Sequence, residues 1–336
     1  MNIVKLTTGN TPRFNIQEEK KTSLGDNEVL VRIRACALNY RDLIVADGNY
    51  PGIPSGGSII PLSDGCGDIV DVGKNVTTWS VGTRVISSFF QDWRDGSFLG
   101  EYMQGALGGG IDGVLCEYRI FPEHSIVRAP ENLSYEEAAS LPCAALTAWH
   151  ALFEKGETKP GDRILTLGSG GVSVFAIQFA KLSGAIVFAT SSNDDKLDRL
   201  KALGADHGVN YLTHKNWDEE IKTLTLGEGV NHVIEVGGGG TLTTSMNALS
   251  HGGTVSLIGR LTGTENKIDP RPIVAKGLTV NGIYVGSVSM LQRMCKTIEA
   301  KDVKPIIDRS FDYHDVADAY DYLRSGTHFG KVVITV

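Results

Sequence analysis

The apolar positions fall into two regimes along the chain. Residues 28–38 (EVLVRIRACAL) alternate apolar and polar, the period of a strand with one face in a core. Residues 66–72 (CGDIVDV), followed by Gly73, predict another strand and turn, and 83–88 and 113–121 predict two more. Short strands with turn signals and few helical stretches predict a small barrel or sandwich. Between the first two strands, 37–52 (ALNYRDLIVADGNYPG) mixes Asn39, Tyr40, Arg41, Asp42 and Tyr50 with apolar residues. With Asp47-Gly48 and Pro51-Gly52 as turn signals, it reads equally as a solvated helix and turn or as a pocket rim. Residues 89–111 have no clear period and include Gly108-Gly109-Gly110; a pocket loop and a plain surface excursion both fit.

The pattern then changes. Arg163–Leu167 is a short apolar run of the kind that forms a buried parallel strand. Gly168-Ser169-Gly170-Gly171-Val172-Ser173 follows, and Val172, Phe175, Ala176, Phe179 and Ala180 keep helical spacing up to Lys181. Residues 186–190 are a second apolar run, about one βαβ unit later. Strand, glycine turn and helix in that order bring backbone N–H groups and a positive helix end to one point, where a dinucleotide pyrophosphate binds. Gly168 permits the tight turn, Gly170 permits close approach, and Ser173 stands where the fingerprint has its third glycine. Residues 231–236, 254–258 and 278–285 predict further strands. Helices are predicted over 195–203 and 241–249, with a turn at His251-Gly252-Gly253. Such alternation predicts a parallel sheet with its ligand at the carboxyl ends. Two amphipathic helical patterns, 289–300 and 314–324, precede a last strand, 331–336 (KVVITV).

With 336 residues, two domains are expected. A net charge of −7 speaks against a nucleic-acid or anionic-membrane footprint. No apolar run approaches the roughly 18 residues of a membrane span, and the N-terminus has no signal-peptide core. The five cysteines are scattered and odd in number, which suits free thiols in a reducing, cytoplasmic compartment.

Several stretches in fixed order carry a resemblance: ALNYRDLIVADGNYPG, PLSDGCGDIVDVG (61–73), LPCAALTA (141–148), LTLGSGGVSVFAIQFAKLSGA and FGKVVI (329–334). Together they resemble the medium-chain dehydrogenase/reductase superfamily, most of all its zinc-free, quinone-oxidoreductase-like branch and the related enoyl reductases. The resemblance implies an α/β protein with a GroES-like β-rich catalytic domain, 1–128 with 286–336, and a doubly wound parallel-sheet (Rossmann) cofactor domain, 129–285. It also implies a homodimer through the cofactor-domain edge near 278–285.

Zinc-bearing relatives have a Cys ligand where Asn39 stands, His-Glu where Ser63-Asp64 stand, and a further Cys ligand at Cys143. One thiol with an amide and a hydroxyl does not supply the roughly three protein ligands of catalytic zinc, so no metal is expected. Nor does 89–111, where the relatives' structural zinc lies, contain a cysteine.

The cofactor expected is NADP(H). An NAD site places an acid about 20 residues past the glycines. Ser191 stands there, with Lys196 and Tyr211 matching NADP-binding members. The resemblance also assigns Thr147, Gly168, Ser169, Gly170, Gly171, Val172, Val236, Ile258, Gly259, Arg260, Val285, Gly286, Phe329 and Lys331 to the cofactor. Asn39, Tyr50 and Asp42 are the catalytic candidates: Asn39 near nicotinamide and substrate, Tyr50 as proton donor or pocket wall, Asp42 orienting Tyr50 or Arg41. Without a metal to make an alkoxide, an activated small-molecule acceptor fits best, a quinone or an α,β-unsaturated carbonyl. The alternatives are a zinc-free alcohol/carbonyl oxidoreductase and a non-catalytic NADPH-binding protein.

Overall fold

Glu28–Ala37 becomes the spine of the first sheet. It pairs with Asp64–Val72 along one edge, and with Lys331–Thr335 and Tyr118–Pro122 along the other. Its alternate side chains share one face of the sheet, and Val29, Val31 and Ile33 enter a core with Ile3, Leu6, Ile69, Phe121, Val332 and Ile334.

The computed structural model describes residues 1–20, 23–53, 55–263 and 268–336. They form two units, Met1–Leu146 with Val285–Val336, and Thr147–Tyr284. In the first, the strand order is Ile307–Asp312, Lys331–Thr335, Glu28–Ala37, Asp64–Val72, Arg84–Ser87, Ile126–Arg128. A smaller sheet joins Arg13–Glu18, Asn2–Thr7 and Ser58–Ile59. Among the described residues, the strands of this unit pair antiparallel except Ile307–Asp312 with Lys331–Thr335.

The strand expected over 113–121 is shorter than predicted, Tyr118–Pro122. Before it, the amides of Gly113, Val114 and Leu115 donate to carbonyls of residues 60–62. A Cβ on Gly113 would stand 2.0 Å from the Leu62 carbonyl oxygen, so the chain is pressed against irregular backbone there. The ambiguous 37–52 stretch holds a helix, Tyr40–Ala46, and it is not a solvated one: Asp42, Leu43, Val45 and Ala46 are buried. Gly48, at φ +72°, follows it.

The second unit is a six-stranded, all-parallel sheet: His207–Asn210, Ile186–Ser191, Arg163–Leu167, Val230–Glu235, Leu249–Leu257, Thr279–Gly282. The order runs outward in both directions from Arg163–Leu167, so the sheet is doubly wound with its switch point beside that strand. Both halves of the expected architecture are therefore present. The turn residues His251-Gly252-Gly253 fall inside the span Leu249–Leu257 as a break in its ladder: Gly252 takes φ +72°, and the pairing with Val230–Glu235 passes from Leu249 directly to Thr254. The strand expected over 278–285 is only Thr279–Gly282, and Val285 takes φ +49°. Sequence reasoning missed Asn2–Thr7, Arg13–Glu18, Ile307–Asp312 and the helical turn Tyr135–Ala139. Among the described residues, no helix is long and apolar enough to cross a membrane.

Candidate active site

In the first unit, the residues matched to zinc-ligand positions surround a buried lysine. Lys331 opens the strand Lys331–Thr335 and is 3% exposed. Its Nζ donates to the Leu38 carbonyl at 2.6 Å and to Asn39 Oδ1 at 2.5 Å, and lies 4.0 Å from Asp64 Oδ2. Asp64 is fully buried; its carboxylate accepts from Ser63 Oγ at 2.6 Å and from the Cys143 amide at 3.1 Å. Burial raises the Asp64 pKa above the usual carboxylate value, against the opposing pull of Lys331 and these donors. Burial, reinforced by Asp64, likewise raises the Cys143 thiol, which therefore stays protonated.

Asn39 precedes the helix Tyr40–Ala46. Asp42, three residues on, reaches back to accept from the Asn39 backbone N–H at 2.8 Å. Lys331 on Oδ1 fixes which way the Asn39 amide points. Among the described residues its Nδ2 makes no hydrogen bond, although the amide is close enough to favour the charged form of Asp64. Asp42 is 1% exposed, and burial pushes its pKa up to about 6 despite the Arg41 guanidinium 3.2 Å away.

Arg41 is the residue the sequence reading left without a role. Its Nη1 donates to Asp42 and to the carbonyls of Leu107 and Gly108, while among the described residues no hydrogen bond reaches its Nε or Nη2. The guanidinium lies over the rings of Tyr50, at 4.6 Å, and Phe89, at 5.0 Å. A Cβ on Gly109 would come within 2.2 Å of the guanidinium and 2.8 Å of the Tyr50 ring, so the glycine tract closes down on this pair. The structure thus brings Asn39, Asp42 and Lys331 together, with Tyr50 joined through Arg41. Val285, Gly286 and Phe329 are buried in the same unit; a Cβ on Gly286 would meet Leu146 at 2.8 Å. A charged pair inside an apolar helix was the available signal for Arg41, as an isolated lysine in KVVITV was for the Lys331–Asp64 pairing.

These residues do not suit zinc. Cys143 and Asp64 are the only zinc-type ligands at the matched positions, and the Lys331 ammonium already faces Asp64. Among the described residues, no three His, Cys, Asp or Glu side chains stand together as a metal-binding group.

The second unit does suit a dinucleotide. Gly168, at φ +75°, follows the strand Arg163–Leu167, and a Cβ on Gly168 or Gly170 would meet nothing within 4 Å. Gly170 precedes the twelve-residue helix Gly171–Leu182, whose first turn no side chain caps, so Gly171 and Val172 present amides beside Ser169. Ser173 Oγ donates instead to the Leu167 carbonyl at 2.6 Å, tying helix to strand. Ser191 ends the neighbouring strand and accepts from the Asn193 amide at 3.3 Å. Lys196 sits in the first turn of Asp194–Leu203, and the Asp194 carboxylate is held by Asn210 Nδ2 at 2.7 Å. Tyr211 lies just past its strand and is 38% exposed. Val236 and Gly259 meet at backbone distance, Ile258 lies between the strand end and Gly259, Arg260 is exposed, and Thr147 is buried.

A model of the alcohol dehydrogenase GroES-like domain matches residues 25–131, and one of zinc-binding dehydrogenases matches 171–300. A zinc-type alcohol dehydrogenase-like protein of Schizosaccharomyces pombe is 43% identical over 324 residues, covering 95% of this chain and 93% of its own. A solved NAD-dependent alcohol dehydrogenase is 32% identical, with TM-score 0.90 and full coverage of both chains. A quinone oxidoreductase of Pseudomonas syringae is 25% identical, with TM-score 0.84, over 100% of this chain and 99% of that one.

Proposed function

The chain belongs to the medium-chain dehydrogenase/reductase superfamily, and from that membership we propose that it is a zinc-independent, NADPH-dependent reductase of a quinone or an α,β-unsaturated carbonyl. One observation carries the zinc-independent part of this reading. Where zinc-bearing relatives have their ligands, this chain has Asn39, Ser63, Asp64 and Cys143, closed by the Lys331 ammonium. A dipositive ion beside the Lys331 ammonium would meet repulsion and too few ligands.

NADPH, when bound, supplies the hydride. Negative charge then develops on the acceptor oxygen and needs a donor. Asn39 is assigned that part, because Lys331 holds its Oδ1 and leaves the Nδ2 end without a hydrogen bond. Tyr50, clamped beneath Arg41, is the candidate proton donor; Asp42 positions Arg41 and the Asn39 backbone. Preference for the 2′-phosphate is supported by Ser191 in the acidic slot, by Lys196 nearby, and by the engagement of Asp194 with Asn210. The small-molecule acceptor comes without nucleic-acid or membrane partners.

A substrate panel tests the proposal: kcat/KM with NADPH and NADH against a quinone, an enone and an aldehyde, and with NADP⁺ against alcohols. Faster quinone or enone reduction with NADPH is expected. A preference for NADH, or alcohol oxidation as the fastest reaction, overturns the substrate and cofactor assignment. The alcohol dehydrogenase names of these relatives favour alcohol/carbonyl chemistry as the second reading, in its zinc-free form here because of the ligand set above. Tight NADPH binding with no turnover on any member would indicate a non-catalytic NADPH-binding protein.

A further inference from the structure

Glu235 ends the central strand Val230–Glu235 of the second unit, is fully buried, and forms no ion pair among the described residues. Four donors converge on it instead. Oε1 accepts from the amides of Gly237 at 2.7 Å and Gly238 at 2.9 Å, and from Thr241 Oγ1 at 2.6 Å; Oε2 accepts from Ser245 Oγ. The carboxylate therefore anchors the first half of the glycine loop 237–240 and the start of the helix after it.

That loop is fastened to the one after the next strand. Thr262 Oγ1 donates to the Gly237 carbonyl at 2.9 Å and accepts from the Gly240 amide at 2.7 Å. The Thr262 amide donates to the same carbonyl at 2.8 Å, and the Gly239 amide donates to the Gly263 carbonyl at 3.2 Å. The fit is at backbone distance. A Cβ on Gly259 would stand 2.1 Å from the Val236 carbonyl oxygen, and one on Gly238 2.7 Å from the Arg260 Cα.

We propose that Glu235 and Thr262 are positioning residues that lock these two loops into one platform for the nicotinamide riboside half of the cofactor. This rests on the dinucleotide reading above. The topology gives the placement. Pyrophosphate belongs at the 168–171 turn, and the strand ending in Ser191 lies to one side of it. Val230–Glu235 and Leu249–Leu257 lie on the other side of the switch point, so their carboxyl-end loops receive the opposite half of the ligand. Glycine loops this short do not hold themselves, and a carboxylate is the one side chain that accepts from two amides and two hydroxyls at once.

Equilibrium binding of NADPH and of 2′,5′-ADP to wild type, Glu235→Ala, Glu235→Gln and Thr262→Val tests this. 2′,5′-ADP reports the adenosine half alone. Releasing several buried donors in Glu235→Ala is expected to weaken NADPH about tenfold or more. Affinity for 2′,5′-ADP should stay within about twofold, since its half of the site is untouched. Glu235→Gln keeps an acceptor oxygen for the loop amides and should recover most of the loss; Thr262→Val should fall between. Unchanged NADPH affinity in Glu235→Ala and Thr262→Val overturns the proposal, as does an equal loss for both ligands, which marks a merely structural role. If Glu235→Ala does not fold, the Thr262→Val and Glu235→Gln comparisons decide alone. A wild-type protein that binds neither ligand overturns the dinucleotide reading and this proposal with it; one that binds both separates the two questions.

Discussion

Lys331 and Asp64 are both nearly inaccessible, so each depends on the other's charge more than surface residues do. Lys331→Met leaves the Asp64 carboxylate buried without a cation and frees the Asn39 amide. The expected loss is about 3 kcal/mol, read by urea denaturation; a change under about 0.5 kcal/mol would mean the pairing has no energetic weight. His232 gives a second single-residue prediction. It lies in the central strand, 3% exposed, with Nε2 2.8 Å from Ser256 Oγ and Nδ1 without a partner. Burial lowers its pKa to about 4. The unfolded chain then binds the proton more readily between about pH 6.5 and 4, so stability is lost as pH falls through that window. The effect approaches about 3 kcal/mol, and His232→Gln should flatten the acid side of the stability profile by that amount. An unaltered profile would contradict it. Asp42 acts with the opposite sign. Its native pKa, about 6, exceeds the unfolded value, so its contribution weakens as pH rises toward 6.

Among the elements, the glycine turn makes the sharpest prediction. Gly170 has φ −77°, which any residue adopts, and a Cβ there meets nothing in the protein. Gly170→Val should therefore leave the melting temperature nearly unchanged while weakening NADPH at least about tenfold, because the side chain would stand where the phosphates approach. Parallel losses of stability and affinity would contradict that. The same contrast shows what was legible in the sequence. From Arg163 to Ser191, period, turn and helix all agree locally, and strand and helix bounds follow within a residue or two. The His251-Gly252-Gly253 stretch keeps its local turn character inside a longer strand: Gly252 takes φ +72°, and the ladder passes from Leu249 to Thr254. Ile307–Asp312 is half exposed and polar, so its pattern is weak. The region 89–111 showed no period because short turns and ring packing, not a long strand or helix, order it: beside the helical turn Gly100–Gly105, Trp93 packs on Phe90, Phe98 and Tyr102 and is 1% exposed.

Across the whole molecule, chemistry was less legible than architecture. Two fold types follow from two periodicities, each sustained over many residues. The site does not, because Asn39, Asp64, Cys143 and Lys331 come from distant stretches that only the folded sheet gathers. The glycine fingerprint was readable as a motif. The charge pair beside Asn39 and the Glu235 clamp were not, since buried polar contacts leave no period.

Zinc content measured together with turnover tests the central claim most directly. The purified protein, before and after prolonged chelation, is assayed for metal by mass spectrometry and for NADPH-dependent reduction of a quinone and an enone. Far less than one zinc per chain and undiminished reduction after chelation are expected. About one zinc per chain, with activity lost on chelation and restored by zinc, would contradict it.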